Sequence, residues 1–137
     1  IADFGMSREG PAYVIPRAKR APIRWLAPET LKSKCYTLKT DVFSYGVMCW
    51  EVFHNCREPY MGMTCPEVSK YVSSGKRMAI EVPMNADLRN VITLNCWAHG
   101  HEQRSSQAEV SRLLEAITGH PRPDFDADSR RRREKEQ

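Results

Sequence analysis

The sequence predicts a mainly α-helical lobe packed around one buried helix, on three observations. The stretch TDVFSYGVMCWEVF (residues 40–53) is apolar on every side, three later stretches are apolar on one side only, and residues 1–24 show no sustained period. A helix apolar all round has to be buried all round, whereas a one-sided helix lays its stripe against something else. Together they read as a central post with three helices leaning on it, fed by a long N-terminal loop.

Taken in order, residues 1–24 are rich in Gly, Pro, Ala and basic residues. Loops of this length inside a compact domain are functional or disordered. The central helix is expected to begin at Thr40 or Asp41, whose side-chain oxygen can accept from the first free backbone N–H groups. Its apolar set is Val42, Phe43, Tyr45, Val47, Met48, Cys49, Trp50, Val52 and Phe53. The next helix runs from about Cys65 to Ser74, with Val68, Tyr71 and Val72 on one face and Gly75 as its stop. Another carries Leu88, Val91, Ile92 and Cys96, and the last carries Val110, Leu113, Leu114 and Ile117 before Gly119 and Pro121 end it. Pro-bearing loops, REPYMGM and KRMAIEVPMN, join them.

Composition bounds the rest. At 137 residues, 41% hydrophobic and 28% charged, the chain has the balance of one globular domain, enough to bury about two-thirds of its unfolded surface. No run approaches the ~18 apolar residues of a membrane span. The chain begins with Ile1 rather than Met and is read as a fragment or processed product. Its five cysteines are an odd number with no C-x-x-C among them, so reduced thiols in a cytosolic protein are expected. The net charge of +4 is partly local to SRRRREKEQ at the C-terminus. A nucleic-acid patch at Arg130–Arg133 is weakened by the interleaved acids there and in DFDAD just before, so this end reads as a solvated tail.

The motifs carry the function. The opening IADFGMSREG contains Asp3-Phe4-Gly5, and APIRWLAPETL contains Ala27-Pro28-Glu29. A D-F-G and an A-P-E bracketing a loop that holds a tyrosine, here Tyr13, resembles the activation segment of a protein kinase. TDVFSYG resembles the kinase pattern at the start of the buried helix, EPYMGM the loop after it, and CWAHGHEQRSS the Cys-Trp…Arg stretch near the end of a tyrosine kinase domain. The resemblance covers residues 1 to about 118, and MSRE with PIRWLAPETL is most similar to the non-receptor Fes/Fer group.

The resemblance implies a protein-kinase-like C-lobe fragment: an activation segment over 3–29, a helical lobe over 30–118, and a charged, disordered tail over 119–137. It implies ATP and Mg²⁺ as cofactors and transfer of the γ-phosphate to protein tyrosine. Asp3 would ligate Mg²⁺, which takes carboxylate oxygen. Phe4 would pack inward and Gly5 supply a joint. Tyr13 would be the activation-loop phosphosite, its phosphate paired by Arg8, Arg17, Lys19 or Arg20 so as to order the loop. Pro22, Ile23, Arg24 and Trp25 would form the floor for the substrate tyrosine; their lack of the threonine expected of serine/threonine kinases points to tyrosine as acceptor. Glu29 and Arg104 would be a buried ion pair, and Asp41 would cap the central helix and hold the catalytic loop. Cys96, His99 and His101 have spacing that invites zinc, but no fourth ligand stands nearby and the stretch falls at a surface turn of the family.

The catalytic loop His-Arg-Asp…Asn, the Gly-rich loop and the strand lysine would fall before Ile1, so no catalytic residue is expected here and the chain alone should lack activity. The alternative is a pseudokinase or truncated product acting as a docking module. Protein substrates with tyrosine acceptors, phosphotyrosine-binding domains at Tyr13 and a cytoplasmic location are implied, with membrane recruitment left to other domains. Gly100, His101, Ser105 and Gln107 depart from the family pattern and should weaken helix starts and packing around Arg104. The central helix should keep one uncovered apolar side that aggregates or binds.

Overall fold

The computed structural model describes residues 4–15 and 21–124. Strand β1 (Ala12–Val14) precedes a 3₁₀ turn (Ile23–Trp25), helix α1 (Pro28–Ser33), strand β2 (Cys35–Thr37) and helix α2 (Leu38–Phe53). Helix α3 (Cys65–Ser73) follows, then α4 (Ala86–Asn90), which continues as a π-helical segment (Val91–Cys96), then a 3₁₀ turn (His101–Gln103) and α5 (Gln107–Thr118). Among the described residues no helix is long and apolar enough to cross a membrane.

α2 is the post. Val42, Phe43 and Val47 are fully buried, and Trp50 is nearly so. The expected cap at Thr40 or Asp41 is corrected: the helix begins three residues earlier, with extended Thr37 as N-cap. Thr37 Oγ1 accepts from the Thr40 N–H at 3.4 Å, and Thr40 Oγ1 accepts from the Thr37 N–H at 2.9 Å, so two orphan donors are satisfied reciprocally. Burial all round is corrected too. Leu38 (73% exposed), Met48 (45%) and Val52 (63%) form a stripe facing away from the core, the uncovered apolar side the sequence also foretold.

The π-helical segment and α5 pack directly on α2, whereas α3 packs on α1 and the first 3₁₀ turn, and α4 on the π-helical segment and α5. The π-helical segment lies closest, because Gly46 lets it in: a Cβ there would stand 2.7 Å from both Cys96 Cβ and Trp97 Nε1. The segment takes an i+5 bond, Trp97 N–H to Ile92 O at 2.9 Å, that re-phases the helix and seats Ile92, Cys96 and Trp97 in the core. α3 starts with a second capping box, Thr64 and Glu67, and buries Val68 and Val72. α5 buries Val110, while Leu113, expected on its packed face, is exposed. Its start is not weakened as expected from the divergent residues around Arg104. Ser106 accepts from the Glu109 N–H and Glu109 accepts from the Ser106 N–H, and Gly119 closes the helix in a left-handed conformation.

The loop expected over residues 1–24 contains a strand. β1 pairs antiparallel with β2 in the register Ala12↔Thr37, Tyr13↔Tyr36, Val14↔Cys35. Three residues are too short to display a period, and the partner that stabilises them lies 21 or more positions away.

Candidate functional site

Residues between Met6 and Ile15, the 3₁₀ turn, the end of β2 and the exposed edge of α2 enclose a cleft of about 770 Å³. Its wall includes Tyr13, Pro22, Trp25, Asp41, Tyr45 and Glu51, so several residues singled out in the sequence share one surface. Local sequence explains why. Pro22 and the 3₁₀ turn carry the chain across the top of α2, and Ser44 Oγ fixes the turn by donating to Trp25 O at 2.8 Å.

Asp3, Arg17, Lys19 and Arg20 lie outside the described residues. Phe4 does not pack inward: it is 65% exposed, because residues 4–11 form no helix or strand that could bring it against the core, which other side chains already fill. Gly5 stands in the exposed turn that follows. Tyr13 is half-buried on β1 with the Arg8 guanidinium 5.3 Å from its ring centroid.

Pro22 is exposed on the cleft wall, and Trp25 lines it too. Arg24 turns the other way. Its guanidinium donates to Pro59 O (2.9 Å), Tyr60 O (3.1 Å) and Met63 O (2.6 Å), and its Nε pairs with Glu58 at 3.2 Å. Those donors are committed to the 58–63 loop, so Arg24 ties the floor to the body of the lobe rather than offering its charge to the cleft. The Trp25 indole donates to Glu51 Oε2 at 2.8 Å.

Glu29 and Arg104 meet. Arg104 grips the carboxylate with both terminal nitrogens, Nη1 to Oε1 at 2.7 Å and Nη2 to Oε2 at 3.2 Å, and also donates to Lys39 O and Ala98 O. The arginine is 1% exposed and lies 5.2 Å from the Phe43 ring centroid. Burial alone would raise the Glu29 carboxyl, but the hydrogen bonds and charge of Arg104 outweigh it and hold the group below its usual value of 4.5.

Asp41 stands in the first turn of α2, exposed on the cleft wall, where desolvation by the surrounding protein raises its carboxyl. The Tyr45 hydroxyl beside it is pushed up to about 12, chiefly by burial and then by Cys49. The cleft therefore presents carboxylates, a neutral phenol and aromatic faces. Such a surface can seat an extended chain carrying an aromatic ring.

The zinc candidates do not converge. Cys96 is buried under α2, His99 and His101 are exposed, and Arg77 Nη2 stands 3.5 Å from His99 Nδ1. Among the described residues no three His, Cys, Asp or Glu side chains are grouped to hold a metal ion. Sequence reading overlooked Ser44 and Glu51. Their signal was available: two polar residues seven apart on an otherwise apolar helix share one face and need a common polar partner.

Known proteins carry related sequences. The family model for protein tyrosine and serine/threonine kinases matches residues 1–114. Fer-related kinase 1 of Caenorhabditis elegans is 36% identical over 115 residues, 83% of this chain and 30% of that kinase. The tyrosine-protein kinase receptor Tie-1 of Danio rerio is 41% identical over 113 residues, 81% of this chain and 60% of that protein. The human tyrosine-protein kinase Fer is 35% identical over 119 residues, 85% of this chain and 14% of that kinase. The chain thus spans 60% or less of the length of each of these relatives.

Proposed function

The chain belongs to the protein tyrosine and serine/threonine kinase family, as a C-lobe segment, and from that premise we propose that it supplies the acceptor-binding half of an ATP-dependent non-receptor tyrosine kinase. The observation that carries the reading is the shared cleft: Tyr13, Pro22, Trp25 and Asp41 line a single surface. Pro22 and Trp25 offer the acceptor ring a flat apolar floor. Glu29 and Arg104 keep that floor at a fixed height above the helices, which matters because phosphoryl transfer depends on positioning rather than on covalent work by the protein.

In this reading residues 3–29 are the activation segment, 30–118 the helical lobe and 119–137 a tail. ATP and Mg²⁺ belong to the reading through the family; bound Mg²⁺ would neutralise phosphate charge. The ligand this chain would contribute, Asp3, lies outside the described residues, and what the described residues do is hold the acceptor and the loop that regulates it. Phosphorylation of Tyr13 would add about two negative charges beneath the Arg8 guanidinium. That pairing would order residues 8–13 and open the cleft edge. A protein bearing phosphotyrosine at position 13 would also offer a docking point to phosphotyrosine-binding domains, and a cytoplasmic protein suits this role.

The test is an assay of the protein that carries this chain together with its upstream sequence, using Mg·ATP and paired peptides differing only in a tyrosine or serine acceptor. Tyrosine-selective phosphorylation that disappears in Asp3→Asn is the expected result. A protein that binds neither nucleotide nor acceptor peptide would instead be a docking module, and the enzymatic reading would be wrong.

A further inference from the structure

We infer that Glu51 is a positioning residue for the acceptor floor, setting the pose of the Pro22–Leu26 turn through the Trp25 indole; this rests on the tyrosine kinase reading above. Three observations converge. Trp25 Nε1 donates to Glu51 Oε2 at 2.8 Å, and Ser44 Oγ donates to Trp25 O at 2.8 Å. Arg24, the neighbouring residue, is pinned in the opposite direction by Pro59 O, Tyr60 O and Met63 O. The turn is thus held at its ring, its backbone and its flank.

Ser44 and Glu51 lie seven residues apart, so both reach from the same face of α2, and both line the cleft with Trp25. A carboxylate on a helix so rich in apolar residues needs a reason to be there. Here it accepts a charge-assisted hydrogen bond from a neutral indole, the stronger class of such bonds. The bond fixes the ring's rotation about its side-chain torsions and so fixes which face meets the cleft. Without it the indole keeps its packing area but loses its orientation, and the acceptor ring loses a fixed edge to align against.

The test has two arms. In the full chain, the ¹⁵N-labelled Trp25 indole N–H should exchange slowly in the wild type and in Glu51→Gln, which retains an acceptor oxygen, and quickly in Glu51→Ala. An indole N–H that is unchanged in Glu51→Ala overturns the inference whatever the protein's activity. In the kinase that carries this chain, Glu51→Ala and Trp25→Phe should each raise the KM for a tyrosine peptide roughly tenfold, the scale of one such hydrogen bond, with the KM for ATP unmoved. Glu51→Gln should recover most of the loss, and the double variant should be no worse than either single one. A fall in kcat with the peptide KM unmoved, or additive losses in the double variant, would overturn the positioning role and leave Glu51 a stabilising residue only. A wild type that phosphorylates no tyrosine peptide would defeat the functional reading and the substrate role with it, while the exchange arm still decides the contact.

Discussion

Residues 4–15 and residues 21–29 border the same cleft, yet they are held in different ways. The earlier stretch rests on a three-residue strand pair, the Ile15 N–H to Lys34 O bond and Arg8 over the Tyr13 ring; Phe4, Met6 and Val14 face solvent. The later stretch is riveted by side chains: Arg24 into the 58–63 loop, Trp25 onto Glu51, Glu29 into buried Arg104, with Leu26 and Ala27 in the core. One is fastened by a few backbone bonds and the other by charge-assisted bonds and burial. The difference fits the division of labour that the proposed phosphorylation-controlled kinase would require. The part to be switched must be cheap to rearrange, and the part that seats the acceptor must not move when the switch does.

The comparison can be broken most forcefully at Arg104. Arg104→Ala removes one partner of a buried pair and takes a charged donor from the Lys39 and Ala98 carbonyls as well. A loss of about 3–5 kcal/mol is expected, close to a marginal domain's whole stability, and thermal or urea unfolding would measure it. A loss under 1 kcal/mol would mean that the floor does not depend on this rivet. Gly46→Ala comes next, because the new methyl must displace Cys96 Cβ and the Trp97 ring from 2.7 Å. Overpacking there should cost about 1–3 kcal/mol in the same assay. Thr37→Ala removes half of the α2 capping box at the residue that also pairs with Ala12, and should cost about 1 kcal/mol.

Acid sharpens the same contrast. The Glu29 carboxyl is lower in the folded protein than its ordinary 4.5. Its contribution is therefore full above that value and is lost as the pH falls through the folded-state value. Stability measured from pH 6 downward should decline below about pH 4.5, and Glu29→Gln should flatten that part of the decline. Glu67 and Glu109, lowered by their capping hydrogen bonds, would leave a residual slope. The smallest effect is expected in the other region. Phe4→Ser exposes no new core surface and should change stability by no more than about 0.5 kcal/mol.

Much of this division was legible in the residues. The all-round apolar stretch marked the post, Cys65–Ser73 appeared almost to the residue, and the motifs singled out Tyr13, Pro22 and Trp25, although not that they line one cleft. What escaped reading depends on partners distant in sequence. β1 needed β2 to become a strand; Thr37 was hidden as a cap because its reciprocal partner, Thr40, was itself the more obvious candidate. Arg24 looked like a cleft residue until the carbonyls of Pro59, Tyr60 and Met63, 35 to 39 positions away, claimed its donors. The π-helical segment Val91–Cys96 packs closely only because another helix has Gly46 at the contact, and Phe4 faces solvent for want of a neighbouring element. Local pattern predicts where a helix lies. It does not predict which buried carbonyl an arginine will find.

Residue-resolved native-state amide hydrogen exchange is the most direct check on the division between switch and floor. The N–H groups of Trp25, Leu31 and Lys34, bonded to Pro22, Ala27 and Thr30 carbonyls, should exchange near the rate of global unfolding, whereas those of Ser7 and the β1 strand should exchange through small local openings orders of magnitude sooner. Equal protection on both sides of the cleft, or faster exchange in residues 25–34 than in 7–14, would contradict a fixed floor beside a rearrangeable loop.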